Sequence, residues 1–171
     1  SSGYLFEGMK KFLSENNKIN NDWNALNVLS NNASTVGAYD LDILDNETID
    51  NVLSNQFELV FLFGQDNLNI KKKNEFIVYI GTHGDRGAEM ADLILPSAAY
   101  TEQDGYYTNL EGNLQLAFKA SYPPGEAKED WEIVNELSKK LNGKSLYTNK
   151  QELIDNLLNC LLYTSDAADE S

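Results

Sequence analysis

The chain has 171 residues and sets 13 Lys and Arg against 27 Asp and Glu, a formal net charge of −14. That excess argues against nucleic acid and anionic lipid as partners, because binding either depends on Lys and Arg neutralising phosphates. With 42% hydrophobic residues the chain has the apolar content of a folded domain, which excludes disorder along the whole length.

No apolar run approaches the ~18–20 residues that a membrane span needs, and no basic-then-apolar leader opens the chain, so direct membrane insertion is not expected. The one Cys, Cys160, permits neither an internal disulfide nor a cysteine-ligated metal cluster. Arg86 is the only Arg and His83 the only His, amid many Asn and Lys, a bias typical of AT-rich genomes. Ser1-Ser2-Gly3 leads straight into an amphipathic segment, as in a piece of a longer polypeptide. Residues 160–171 resemble the in-frame translation of a sequencing-library adapter. The expected organisation is therefore a domain fragment over 1–159 and a non-native tail over 160–171.

Leu5, Met9, Phe12 and Leu13 follow a 3.6-residue period and predict a helix over 4–15, ended by Asn16-Asn17. Trp23, Leu26 and Leu29, with Asp22 as cap, suggest a second short helix. Residues 33–45 are small and polar and read as a loop. A third helix opens at Asn46-Glu47-Thr48 and carries Ile49, Val52 and Leu53.

The pattern then changes. Residues 57–63, interrupted only by Glu58, and 76–80 are apolar runs rich in β-branched and aromatic side chains, closed by Gly64 and Gly81. Leu93-Ile94-Leu95 forms a third run before Pro96. Such runs without alternation predict parallel strands buried on both faces. Asp104-Gly105 and Glu111-Gly112 mark turns, and residues 106–109 and 114–118 pair as a predicted hairpin. After Pro123-Pro124-Gly125, the stripe Ala127, Trp131, Val134, Leu137 and Leu141 predicts a helix stopped at Asn142-Gly143. Leu153, Ile154, Leu157 and Leu158 predict a last helix over 151–159, which the tail extends by about a turn. The expected fold is α/β: a Rossmann-like layer with a short, mainly parallel sheet flanked by helices, plus a small β-hairpin.

The chemically suggestive stretch is the glycine loop 81–87 with its neighbours His83, Asp85 and Glu89, which follows a buried strand and precedes a short helix. It matches neither G-x-G-x-x-G nor a Walker loop, and its acids repel an anion. A tight loop bonding its own backbone competes with an anion cradle, and the tight loop is favoured. A lone His without Cys partners does not make a closed zinc site. Glu102 and Glu111 have no spacing that fixes an acid/base separation, and Glu111 suits the turn beside Gly112. Ser34 and Ser97 lack a nucleophile-elbow context. No catalytic or metal-binding residue is expected.

Longer stretches carry more. Residues 77–96 run into Ser97-Ala98-Ala99-Tyr100-Thr101-Glu102-Gln103-Asp104-Gly105, then Asn109-Leu110-Glu111-Gly112 and 123–131. These closely resemble the C-terminal part of the large iron–sulfur subunit family of respiratory complex I. Ala91-Asp92-Leu93-Ile94-Leu95-Pro96, Glu102, Asp104-Gly105 and Asn109-x-Glu111 resemble the molybdopterin oxidoreductases more widely, formate dehydrogenases included. His83-Gly84-Asp85-Arg86-Gly87-Ala88, in place of a Thr-Glu-Thr-type stretch, resembles the complex I form.

The resemblance implies an α/β fold descended from a molybdenum-cofactor enzyme. It implies a scaffold role in electron transfer from NADH to quinone, with no cofactor in this stretch. The motif His83, Asp85, Gly87, Asp92, Pro96, Glu102, Asp104, Gly105, Asn109, Glu111 and Gly112 would be vestigial. Iron–sulfur clusters would belong to a region that this chain does not contain. The implied partners are other peripheral-arm subunits, on the cytoplasmic face of a bacterial inner membrane or the mitochondrial matrix face. The competing reading is a fragment of a true molybdenum oxidoreductase.

Overall fold

The apolar runs form a three-stranded parallel sheet in the order β1 (Leu59–Phe63), β2 (Phe76–Gly81), β3 (Leu93–Pro96). Phe61 lies opposite Val78, and Val78 opposite Leu93. In this computed structural model, residues 2–20, 24–26, 35–43 and 46–169 are described. The chain divides into two compact units, 1–33 and 34–171.

The first unit carries α1 (Ser2–Glu15). It closes where predicted, with Asn17 at φ 53° and the Lys18 N–H bonded to the Leu13 carbonyl. Its apolar stripe at Leu5, Met9 and Phe12 is exposed. The expected helix around Trp23 falls mostly outside the described residues; Asn24 instead forms an antiparallel bridge with Ile19.

In the second unit one face of the sheet is core. Val60, Leu62, Ile77 and Tyr79 pack with Ile70, and Val52 of α3 (Asn46–Leu53) and Ala88 and Met90 of α4 (Arg86–Met90) close over them. The crossover from β1 to β2, residues 64–75, is irregular rather than helical. Ile70 and Leu68 fill the place a crossover helix would take. Asn55, left-handed at φ 58°, donates to Glu75 at 2.9 Å and to the Lys71 carbonyl at 3.2 Å, tying α3 to this crossover.

On the other face Val78 and Ile80 pack with Ile133 of α5 (Asp130–Asn142) and with Leu95. Here the sequence expectation needs correcting. Only β2 is buried on both faces; β1 alternates between buried and exposed residues, and β3 is largely exposed. Both are edge strands, and α5 reaches only the β2–β3 side of this face.

Three helix boundaries also differ. Residues 35–40, expected as loop, form α2 (Thr35–Asp40), which packs on β4 and α6. Gly37 permits the approach, since a Cβ there would stand 3.2 Å from Thr108 Oγ1. The α5 helix begins at Asp130 rather than near Ala127. The Lys128 backbone is held beside Ser97, with the Ala98 N–H on the Lys128 carbonyl at 2.8 Å. Its end is as expected, with Gly143 at φ 72°. The last helix, α6 (Lys150–Asp169), runs well past 159, because Leu161, Leu162, Ala167 and Ala168 favour helix and no Gly or Pro stops it. The hairpin is β4 (Gly105–Thr108) antiparallel to β5 (Leu114–Ala117), as predicted.

Candidate functional site

Parallel α/β sheets take ligands outside the carboxyl ends of their strands. Two loops meet there: 64–69 after β1, turned by Gly64 at φ 56°, and 81–85 after β2. Between them stands Tyr79, almost fully buried, with only its hydroxyl polar. It donates to Asp66 Oδ2 at 3.0 Å, while Asp66 Oδ1 accepts the Gly87 N–H at 2.8 Å. A Cβ on Gly81 would lie 2.6 Å from the Tyr79 ring. One on Gly87 would lie 2.5 Å from that ring and 2.7 Å from the Gln65 carbonyl. The glycines are therefore there to admit an aromatic ring. Burial, then the Asp66 carboxylate, pushes the Tyr79 hydroxyl up to about 12.

The other loop residues lie outside this knot. His83 is exposed, its Nδ1 2.7 Å from Thr82 Oγ1. Asp85 precedes α4 and makes no side-chain capping bond to it, and Arg86 donates to Asn69 Oδ1 at 3.0 Å. Among the described residues no cluster of His, Cys, Asp and Glu is placed to hold a metal.

Asp92 fixes the start of β3. Its backbone N–H bonds the Ile77 carbonyl and its Oδ2 accepts the Ile77 N–H, both at 2.8 Å; Lys72 Nζ stands 2.6 Å from Oδ1. The Lys72 ammonium, and after it the Ile77 N–H, hold the Asp92 carboxyl below the usual carboxylate range. Pro96 ends β3, and its carbonyl accepts the Lys128 N–H.

Farther on, the motif residues again serve backbone. Glu102 Oε2 accepts the Ala99 N–H at 2.9 Å. Asp104 accepts the Lys119 N–H at 2.8 Å at the root of the hairpin, and its carbonyl accepts Lys150 Nζ at 2.9 Å. Lys150 also meets Glu129 at 2.5 Å, on which the Trp131 indole N–H lies at 3.0 Å. These groups and Gly105 line a cavity of about 230 Å³. Asn109 Oδ1 accepts the N–H groups of Glu111 and Asn113, both at 2.9 Å, and Glu111 Oε2 accepts from Asn113 at 3.2 Å. Gly112, at φ 80°, completes that turn. Glu102 and Glu111 each accept a hydrogen bond within their own turn.

Apart from His83 and Asp85, the motif residues thus serve three local networks: glycine loop and strand start, the 97–104 turn, and hairpin tip. Sequence reasoning missed Asp66, Lys72 and Lys150, whose partners lie 13 to 46 residues away. Tyr79 had one signal, a hydroxyl in an otherwise apolar strand.

An α/β sheet with helices on both faces and this chain of strand-end turns defines a domain class, and a family model names it. The chain belongs to the molybdopterin oxidoreductase family, whose model matches residues 3–140. Among its relatives, a subunit of the NADH-quinone oxidoreductase of Rickettsia bellii is 47% identical over 84% of this chain and 21% of its own length. The NADH-ubiquinone oxidoreductase 75 kDa subunit of Reclinomonas americana is 43% identical over 77% of the chain and 20% of its own length. The mitochondrial NADH-ubiquinone oxidoreductase 78 kDa subunit of Candida albicans is 40% identical over 84% and 20%. The chain spans about a fifth of the length of these relatives.

The family name implies a phosphate-bearing pterin. The glycine loop does not fit such a group: the Gly87 N–H is given to Asp66, the Tyr79 ring fills the space between the glycines, and Asp85 and Glu89 add like charge.

Proposed function

We propose that this chain belongs to the large peripheral-arm subunit of an NADH:quinone oxidoreductase and works there as scaffold, holding no redox centre of its own. The observation that carries this reading is the 40–47% identity, over most of the chain, to subunits of enzymes so named. The site chemistry supports it, since Asp92, Glu102, Asp104 and Asn109 of the motif are taken up by strand starts and turns. Iron–sulfur clusters would lie elsewhere in the subunit, and the partners would be other peripheral-arm subunits. The complex would hold the chain at the cytoplasmic or matrix face of its membrane. No helix among the described residues is long and apolar enough to cross a membrane.

The test places Asp92→Ala in the full subunit, where it removes the carboxylate's bonds to Lys72 and to the Ile77 N–H. A scaffold loses assembled complex while NADH:quinone turnover per assembled complex stays unchanged. The chain, purified from a molybdenum-replete host, should carry neither molybdenum nor pterin fluorescence. Either stoichiometric molybdenum or turnover that falls while assembly is intact overturns the reading, and molybdenum favours a molybdenum oxidoreductase.

A further inference from the structure

We infer that Asp66 is the resident counter-anion of loop 81–87, latched by Tyr79, so that the loop is permanently closed to phosphate-bearing ligands. The position is where a sheet of this class takes a ligand, at the carboxyl ends of β1 and β2. Four observations converge on closure. The Gly87 N–H already donates to Asp66 Oδ1 at 2.8 Å. The other oxygen of that carboxylate is fixed by the Tyr79 hydroxyl at 3.0 Å. The ring behind that hydroxyl lies where a Cβ on either Gly81 or Gly87 would stand, so the space that glycines usually leave for a ligand holds a side chain. Arg86, the loop's one cation, is turned to Asn69 of the same crossover loop that supplies Asp66.

The closure is built from residues brought together by the fold, since Asp66 lies 21 positions from Gly87 and 13 from Tyr79. An N–H donating to a carboxylate makes a charge-assisted bond, stronger than one between neutral groups. An entering phosphate would have to displace a tethered anion that bears no association cost. Asp66 and Tyr79 are positioning residues for the loop, not catalytic ones.

The experiment uses the full 171-residue chain, labelled with 15N, and inorganic pyrophosphate as probe. In the wild type, the amide resonances of Gly81, Gly84 and Gly87 stay in place through millimolar pyrophosphate. In Asp66→Ala, hydrogen exchange at Gly87 accelerates about tenfold or more, the loss expected for one hydrogen bond to a charged group, while Val78 and Ile80 exchange as before. Tyr79→Phe keeps the ring and removes one of the two donors, so Gly87 accelerates by a smaller factor. Should Asp66→Ala not fold, isosteric Asp66→Asn gives the same readout with a smaller change.

Pyrophosphate shifts at the loop of the wild type overturn the inference. So does Gly87 exchange that is unchanged in the variants, or that rises only in step with Val78 and Ile80. The inference deepens the scaffold reading yet fails separately. Molybdenum in the purified chain with a silent loop sinks the scaffold reading alone. A pyrophosphate-responsive loop in a molybdenum-free chain sinks the latch alone.

Discussion

Tyr79 combines two roles that pull on its ionisation in the same direction. Its ring is core, packed with Val60, Leu62 and Ile77, and its hydroxyl is the donor that Asp66 needs. Ionisation would bury a phenolate beside a carboxylate, and both effects favour the neutral form. With the folded value raised from 10.0 to about 12, the stabilisation is complete below pH ~10 and is lost as pH rises through ~12. At ~1.4 kcal/mol per unit, the loss between those limits is about 2–3 kcal/mol. Urea midpoints measured across that range should fall more steeply for the wild type than for Tyr79→Phe, which has no proton to lose. Parallel slopes would show that the hydroxyl is not held by Asp66.

At the scale of elements, the α5 helix decides which parts of the second unit stand together. Ile133 covers Val78 and Ile80, and Trp131 with Glu129 and Lys150 closes the cavity beneath the hairpin. Truncation after Gly125 removes all of these. It re-exposes side chains worth ~1.5–3 kcal/mol each, against a typical net stability of ~5–15 kcal/mol, and should abolish the cooperative unfolding transition. Deletion of 160–171 should instead shift stability by less than about 1 kcal/mol, the range of surface changes. A chemical denaturation series on the two truncations checks both outcomes. Equal losses would make the segment 160–171 part of the native core. The strands, the hairpin and the Gly143 stop were legible in the sequence because each rests on a local pattern or a backbone requirement. The α2 helix was not, because Thr35, Gly37 and Asp40 are poor helix formers and the element exists through its packing on β4 and α6. The start of α5 departs from its apolar stripe for a similar reason: Ala127 fits the stripe, but a bridge to Ser97 holds Lys128 extended. The motif residues were visible as a pattern. Their work was not, since Asp66 and Lys72 enter only when the crossover folds back over the sheet.

Over the whole molecule, apolar surface and charge are set against each other. Parallel sheets ordinarily have both faces covered, yet Leu59, Phe61 and Phe63 of β1 point away from the core at 52%, 37% and 47% exposure, and Phe76 beside them is 48% exposed. A surface of this kind favours association, and the net charge of −14 opposes it by repulsion between like molecules. The balance depends on salt, because the screening length falls from ~30 Å at ~0.01 M to ~10 Å at ~0.1 M. Added salt therefore weakens the repulsion and leaves the apolar attraction in place. Sedimentation velocity should show the isolated chain moving from monomer toward larger species as sodium chloride is raised across that range. Phe61→Glu should suppress the shift without unfolding the chain, since Phe61 lies on the uncovered side of β1 while Val60 and Leu62 carry the core. A sedimentation coefficient that is flat in salt, or one that shifts equally in Phe61→Glu, would mean that this face does not drive association.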